Sequence, residues 1–167
     1  MKRLYLLRHA KSSWDFPDLD DFNRPLNKRG QRDAPFMGKL LKKKKIVPDL
    51  IVSSPAVRAA VTARTIAENL EYSEKKLQFD PRIYDASASQ LLSIIQEINE
   101  SITSIILIGH NPSLTALANI LSDRRIDNIP TCGFVDLDLD VKTWQESKAG
   151  CGHLRLFEYP KKHKKNK

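Results

Sequence analysis

Residues 105–112 read Ile-Ile-Leu-Ile-Gly-His-Asn-Pro and contain the most apolar run in the chain. Four consecutive aliphatic residues that end at a glycine are typical of a strand buried on both faces. The Asn-Pro pair predicts a helix start, because asparagine caps helix N-termini and proline fits the first helical position. A strand that leads at once into a helix is the repeating unit of an α/β domain.

The same pattern occurs earlier in the chain. Residues 4–7 and residues 50–52 each predict a short buried strand. After the second of them, Ser54 and Pro55 predict the cap and the first residue of an alanine-rich helix. The other predicted elements are a helix over 28–43 capped by Asn27, a short strand at 77–79, a helix over 90–98, and strands over 134–139 and 153–159.

Together these elements predict one α/β domain with three α/β/α layers and a mainly parallel central sheet. The last two strands alternate apolar and polar residues, which indicates an antiparallel pair at the sheet edge with one face in water. No linker divides the chain, so we expect a single domain over residues 1–160. Residues 161–167 hold five lysines and His163, and we expect this basic tail to be disordered.

The chain has 167 residues and a net charge of +8, concentrated in two basic runs at residues 42–45 and 161–167. We interpret them as solvated lysines at a helix end and at a frayed terminus. The alternative is attraction to nucleic acid or to an acidic partner. No aromatic residue lies among the tail lysines, so a stacking site for single-stranded nucleic acid is disfavoured.

Other compositional features point to a cytoplasmic protein. Cys132 and Cys151 form neither a CxxC pair nor a metal-ligand pattern, so we expect two reduced thiols. Neither a membrane span nor a signal peptide is predicted, because no apolar run is long enough.

Four cationic or titratable side chains follow three of the predicted strands. Arg8 and His9 follow the first strand, His110 follows the strand at 105–108, and Arg58 lies in the first turn of the helix after residues 50–52. Ligands of open α/β sheets bind beyond the carboxyl ends of the strands. We therefore expect these four side chains to meet in one crevice.

The charge of that crevice predicts its ligand. Alone, Arg58 could be an ordinary surface arginine, and each histidine could be structural. Yet a cation in the first turn of a helix opposes the helix dipole, and a bound anion would reverse that penalty. Arginine also meets two phosphate oxygens at a time. Two arginines beside two helix N-termini therefore predict a site for a dianionic, tetrahedral group, most simply phosphate.

Five segments carry a resemblance to a known family. The chain resembles the histidine phosphatase superfamily, the phosphoglycerate-mutase-like proteins, and in particular the small SixA-type phosphohistidine phosphatases. The segments are Leu-Leu-Arg-His-Ala at 6–10, Arg-Pro-Leu at 24–26 with Gly30, Ser-Ser-Pro-Ala-Val-Arg-Ala at 53–59, Gly-His-Asn-Pro at 109–112 and Pro-Thr-Cys-Gly at 130–133.

The resemblance implies a role for each of the four side chains. His9 would attack phosphorus and become a phosphohistidine. Arg8, Arg58 and His110 would hold the phosphoryl oxygens and stabilise transition-state charge, which agrees with phosphoryl transfer being mostly positioning and electrostatics. Because the arginines supply positive charge, no metal and no cofactor are expected.

Two departures from the family pattern affect the chemistry. Many relatives carry a glutamate as general acid, and Asp85 is the candidate here, with Asp80 in reserve; alternatively, Asp85 caps the following helix. Residues 10–11 are Ala-Lys where mutases commonly have glycine and glutamate, which argues against mutase chemistry. Ser12 is left as a candidate phosphate neighbour.

The substrate class follows from what the chain lacks. Residues 72–102 are too few for a lid over small phosphoesters, so an open crevice favours a phosphorylated side chain of a partner protein. Protonated imidazole leaves more easily than an alkoxide, which favours phosphohistidine. Two alternatives remain: a phosphatase of small phosphoesters, and a non-catalytic phosphate-binding module, although a binding module would not need His9.

Overall fold

In the computed structural model, which describes residues 1–164, six strands form one sheet. The strands are β1 Lys2–Arg8, β2 Leu50–Ser53, β3 Gln78–Phe79, β4 Ser104–Gly109, β5 Phe134–Leu139 and β6 Gly152–Glu158. Their order in the sheet is β3-β2-β4-β1-β5-β6. The first four strands in this order are parallel, and β5 is antiparallel to both of its neighbours, β1 and β6. The mainly parallel sheet with antiparallel strands toward one edge confirms the predicted fold class.

Four α-helices cover the two faces of this sheet. They are α1 Lys28–Lys43, α2 Val57–Asn69, α3 Ala88–Gln96 and α4 Ser113–Leu121. One apolar core contains residues of α1 and α2, and the other contains residues of α3 and α4. The three layers therefore form as predicted.

Alternation along the central strands explains why both faces are buried. Ile105 and Leu107 of β4 face the α3–α4 core, whereas Ile106 and Ile108 face the α1–α2 core. All four are fully buried. Each such side chain contributes roughly 1.5–3 kcal/mol of transfer free energy. The continuous aliphatic run thus fixes β4 in the middle of the sheet.

The predicted start of α1 agrees with the structure, whereas the predicted start of α2 does not. Asn27 caps α1, as predicted, and its side chain accepts a hydrogen bond from the Gly30 amide at 2.8 Å. The predicted start at Ser54 and Pro55 is wrong, because α2 begins at Val57 with no side-chain cap. The Ser54 hydroxyl instead contacts His110, a cross-sheet partner that helix-start statistics do not consider.

The two antiparallel strands also differ in detail from the expectation. β5 lies between β1 and β6, so of these two strands β6 alone is at an edge of the sheet. Asp136 of β5 is buried rather than wet, and burial raises the pKa of its carboxyl. Arg3 of β1 lies 3.7 Å from this carboxylate, which explains how an acidic side chain is accommodated there.

The last described residues form a turn at the start of the predicted basic tail. Pro160–His163 form a 3-10 turn. The Glu158 carboxylate lies 2.7 Å from Lys162 Nζ and 2.9 Å from His163 Nε2. The rest of the predicted basic tail, residues 165–167, lies outside the described residues. Within residues 1–164, no helix has the length and apolar character needed to cross a membrane.

Candidate active site

The carboxyl ends of three parallel strands bring the predicted site residues together. Arg8 pairs in register with Gly109, and the His9 amide donates to the Gly109 carbonyl at 3.2 Å. Ser53 of β2 pairs with Ile108 of the same central strand. The segments that follow β1, β2 and β4 therefore emerge side by side at one edge of the sheet, as predicted.

His9 is buried, and its proton is held on one particular nitrogen. Its Nδ1 lies 2.7 Å from the Ala10 carbonyl oxygen. Because a carbonyl can only accept, Nδ1 carries the proton and the lone pair is on Nε2. Burial lowers the pKa of His9 to about 3, helped by the charges of His110, Arg58 and Arg8. At neutral pH His9 is therefore an uncharged imidazole with a free nucleophilic nitrogen.

His110 faces His9 across the site, with ring centroids 5.1 Å apart. Its Nε2 lies 2.8 Å from the Ser54 hydroxyl oxygen, which also accepts from the Ala56 amide. When the hydroxyl donates its proton to Nε2, the imidazole proton is on Nδ1. This buried Nδ1 has no partner in the described part of the chain. Burial and the nearby Arg58 charge lower the pKa of His110 to about 4.

Arg8, like His110, has a buried nitrogen without a hydrogen-bond partner among residues 1–164. Its Nη1 donates to the Ile129 carbonyl at 3.0 Å, which orients the guanidinium. Its buried Nε has no partner among residues 1–164. Burial also lowers the pKa of Arg8. Unpaired buried donors are costly, and the donors on Arg8 and His110 would both be satisfied by an anion in the site.

Arg58 is anchored by a residue that sequence reasoning did not single out. Its Nη1 donates to the Asp21 backbone carbonyl at 2.7 Å, and its Nη2 donates to the Asp21 carboxylate at 3.0 Å. The Tyr84 hydroxyl donates to the same carboxylate at 2.7 Å. Hydrogen bonds from Tyr84, Arg24 and Arg58 hold the pKa of Asp21 far below its usual value.

A cleft of about 280 Å³ opens beside these residues. Its lining includes Arg58, His110 and the predicted acid Asp85, together with Asp21 and Tyr84. The structure therefore brings Asp85 to the same opening as Arg58 and His110, whereas Arg8 and His9 are not among its lining residues. The alternative in which Asp85 caps a helix is wrong, since Ser87 caps α3.

The two remaining candidates lie elsewhere. Asp80 is held by Arg82, whose hydrogen bonds lower the pKa of the Asp80 carboxyl, and it lines a different cavity. Ser12 is buried, and its hydroxyl accepts from Arg24 at 2.5 Å. Neither residue is among those that line the cleft beside Arg58.

Sequence reasoning missed Asp21, Tyr84 and the role of Ser54. Asp21 is one of four aspartates in the acidic stretch at 15–21, and nothing in the sequence distinguishes it from the others. The position of Tyr84 next to Asp85 was a usable signal. Ser54 was assigned to a helix cap because serine before proline is a strong cap pattern.

Comparison with known proteins gives a consistent result. Residues 4–105 match the sequence profile of the Histidine phosphatase superfamily (branch 1). An uncharacterized chloroplastic protein of Arabidopsis thaliana is 33% identical over 159 residues, covering 90% of this chain and 72% of the relative.

Two solved structures share the fold. A candidate phosphohistidine phosphatase SixA from Agrobacterium tumefaciens is 29% identical, with a TM-score of 0.79 over 95% of this chain and 98% of that chain. The protein histidine phosphatase SixA in complex with tungstate is 21% identical, with a TM-score of 0.83 over 97% of this chain and 99% of that chain. The latter identity supports the fold alone.

Proposed function

We propose that this chain, which belongs to the histidine phosphatase superfamily and is a phosphatase, removes the phosphoryl group from phosphohistidine on a partner protein. The reaction proceeds through a covalent intermediate on His9 and uses no metal. The observation that carries this proposal is the state of His9. The ring is buried with its pKa lowered to about 3, its Nδ1 donates to the Ala10 carbonyl at 2.7 Å, and its Nε2 makes no hydrogen bond within residues 1–164. A pocket that only bound phosphate would not need such a nucleophile.

In the first step, His9 Nε2 attacks phosphorus while the bond from phosphorus to the leaving nitrogen breaks. The bonding electrons go to the substrate imidazole, which leaves as a neutral ring if it is protonated beforehand. Arg8, Arg58 and the Nδ1–H of His110 donate to the phosphoryl oxygens as charge develops on them. Their donors are fixed before substrate arrives, so little reorganisation is required.

In the second step, water attacks the phosphohistidine at His9 and phosphate is released. The bond from phosphorus to Nε2 breaks, its electrons return to His9, and the protons of the water leave with the phosphate. Asp85, which lines the cleft together with Asp21, is the candidate acid. For an alkyl phosphate the same residue would first protonate the leaving oxygen. With phosphohistidine this acid step is less demanding, because imidazole is a better leaving group than an alkoxide.

The open cleft and one structural relative support a protein substrate. That relative shares the fold and is a protein histidine phosphatase in complex with tungstate, a tetrahedral oxyanion. In this chain the two unpaired donors, on Arg8 and His110, suit an oxyanion of the same shape.

The test is to trap the intermediate. Protein mixed with labelled phosphohistidine and quenched should carry label that is acid-labile and base-stable, as a phosphoramidate is. His9→Ala should lose both label and turnover, whereas His153→Ala, a change at an exposed histidine paired with Asp123, should keep them. Label on serine or aspartate would overturn the mechanism.

A second assay concerns the substrate and the metal. Phosphate release from phosphohistidine should exceed release from p-nitrophenyl phosphate, and EDTA should change neither rate. A preference for small phosphoesters would contradict the proposed substrate, and loss of activity in EDTA would contradict the arginine-based site.

A further inference from the structure

Exposed apolar side chains are concentrated in one loop beside the cleft. Trp14, Phe16 and Leu19 are 73%, 52% and 42% exposed, and they lie within six consecutive residues. We define residues 14–20 as the acidic loop, because it also contains Asp15, Asp18 and Asp20 and has no lysine or arginine. Exposed apolar clusters of this kind commonly mark interaction sites.

The acidic loop is tied to the phosphate site by a chain of side-chain contacts. Trp14 stacks on the Arg24 guanidinium, 3.3 Å from its carbon to the ring centroid. Arg24 is buried, and it donates to the Asp21 carboxylate at 3.0 Å. Asp21 in turn holds Arg58. The loop is therefore connected to Arg58 through two intervening residues, Arg24 and Asp21.

Backbone contacts also hold the acidic loop in place. Just before the loop, the Ser13 amide donates to the Pro25 carbonyl at 2.8 Å. Within the loop, the Leu19 amide donates to the Phe16 carbonyl at 3.0 Å. The Asp20 side chain accepts from the Asn23 amide at the start of a 3-10 turn. A preorganised loop loses little conformational entropy on binding, which favours affinity.

We propose that the acidic loop binds the polypeptide that carries the phosphoryl group, through a segment with apolar and basic side chains next to the phosphorylated residue. This inference rests on the proposed function and adds a sequence preference to it. Residues that carry much of the binding energy at protein interfaces are enriched in tryptophan, and interfaces are also enriched in phenylalanine, which suits Trp14 and Phe16. The aspartates complement lysine or arginine in the partner, and they repel acidic flanks.

The charge also indicates where the basic side chain lies. Lys28 and Arg29 line a groove of about 480 Å³ together with Asp15 and Phe16, so cationic side chains offset the negative charge at the foot of the loop. Asp18, further along the loop, is exposed. A basic residue of the partner therefore fits near Asp18, and an apolar residue fits near Phe16.

The experiment uses two short synthetic peptides, each phosphorylated on one central histidine by phosphoramidate. Leucine and lysine flank the histidine in one peptide, and leucine and glutamate flank it in the other. Each peptide is first used as a competitive inhibitor of p-nitrophenyl phosphate hydrolysis, which gives an inhibition constant whether or not the peptide turns over. Phosphate release from the peptides is then measured separately.

We expect the lysine peptide to inhibit roughly tenfold more tightly than the glutamate peptide. Asp18→Lys should abolish or reverse that ratio, and Phe16→Ala should weaken both peptides. Neither variant should change p-nitrophenyl phosphate hydrolysis by more than about twofold, because surface substitutions away from packed or paired groups have small effects. Trp14 is left intact because it also packs on Arg24.

The matched control is Phe36→Ala, since Phe36 is 40% exposed and lies near His163 on another surface. It should leave both inhibition constants unchanged. Equal inhibition by the two peptides, or no effect of Asp18→Lys on the ratio, would overturn the inference. Tight, charge-dependent inhibition without phosphate release would instead overturn phosphohistidine as the substrate while supporting the docking role of the loop.

Discussion

Arg58 directs both terminal nitrogens of its guanidinium at one residue, Asp21, with Nη1 2.7 Å from the backbone carbonyl and Nη2 3.0 Å from the carboxylate. A guanidinium has five N–H groups. Two donate to Asp21, and the other three make no hydrogen bond within residues 1–164. Arg58 is therefore fixed in orientation without being used up, which is the preorganisation that charge stabilisation in phosphoryl transfer requires.

We predict that Asp21→Asn lowers kcat/KM for p-nitrophenyl phosphate by roughly tenfold, because small displacements of a positioned group are costly in catalysis. The change keeps the side-chain shape but removes the charge that holds Arg58 and Tyr84. Steady-state kinetics and the inhibition constant of vanadate should both show the loss.

Asp18→Asn is the control for this prediction, since it removes the same charge from an exposed position in the preceding loop. It should leave both constants unchanged. A rise in kcat/KM for Asp21→Asn would show that the Asp21 carboxylate competes with phosphate for Arg58 instead of positioning it.

Arg8 should be intolerant of lysine. Lysine keeps the charge but has neither the planar fork nor a donor in place of Nε, which is buried and unpaired within residues 1–164. We expect Arg8→Lys to cost on the order of 10²-fold in kcat, as loss of a preorganised oxyanion donor does. Arg64→Lys, at an exposed arginine of α2 paired with Glu74, should have no effect. Full activity of Arg8→Lys would mean that charge alone is sufficient.

The parts of the site that could be predicted from sequence are those fixed by strand ends. Arg8, His9 and His110 follow directly from apolar strands, and a parallel sheet places such positions at one edge. Arg58 follows from the start of a helix after a third strand. These relationships depend on where the strands end, which hydrophobic periodicity indicates well.

The parts that could not be predicted depend on contacts between loops. Asp21 meets Arg58 across 37 positions of sequence, and Tyr84 meets Asp21 across 63. Such pairs follow from the folded path of irregular segments, which has no periodic signal. The Ser54 prediction failed for a related reason: a hydrogen bond to His110, 56 positions away, replaced the local cap.

The depressed pKa of His9 should make the fold sensitive to acid. An unfolded histidine titrates near pH 6.5, whereas the folded pKa is about 3. Between these values the unfolded chain binds a proton that the folded chain does not, so acid favours unfolding. The stabilisation is complete above about pH 6.5 and is lost as the pH falls toward about 3. Between pH 7 and pH 5 the wild type should therefore lose about 2 kcal/mol more unfolding free energy than His9→Gln. Denaturant titration of both proteins at the two pH values measures this difference.

His153 is the control with the opposite sign. The hydrogen bond to Asp123 raises the pKa of this exposed histidine. Its contribution is present at low pH and is lost as the pH rises through the folded pKa, so His153→Gln should not reduce the acid sensitivity. Equal acid sensitivity of the wild type and His9→Gln would contradict a buried, neutral His9.

The general acid is tested by Asp85→Asn, which keeps the backbone unstrained. Asp85 has a φ of 60°, a conformation that aspartate and asparagine adopt more readily than most residues. If Asp85 delivers a proton, the change should slow hydrolysis of alkyl phosphates by roughly 10²-fold or more. It should barely affect p-nitrophenyl phosphate or phosphohistidine, because those leaving groups depart without a proton being supplied in the transition state.

The comparison between substrates separates the possible roles of Asp85. Asp80→Asn is the matched control, because Asp80 lies in the same region but is held by Arg82 and lines another cavity; it should slow neither substrate class. If Asp85→Asn slows both classes equally, Asp85 supports the loop or the cleft, and Tyr84 beside it would be displaced. If it slows neither, water and the leaving group exchange protons with solvent through the open cleft, and the enzyme needs no dedicated acid for a substrate whose imidazole leaves readily.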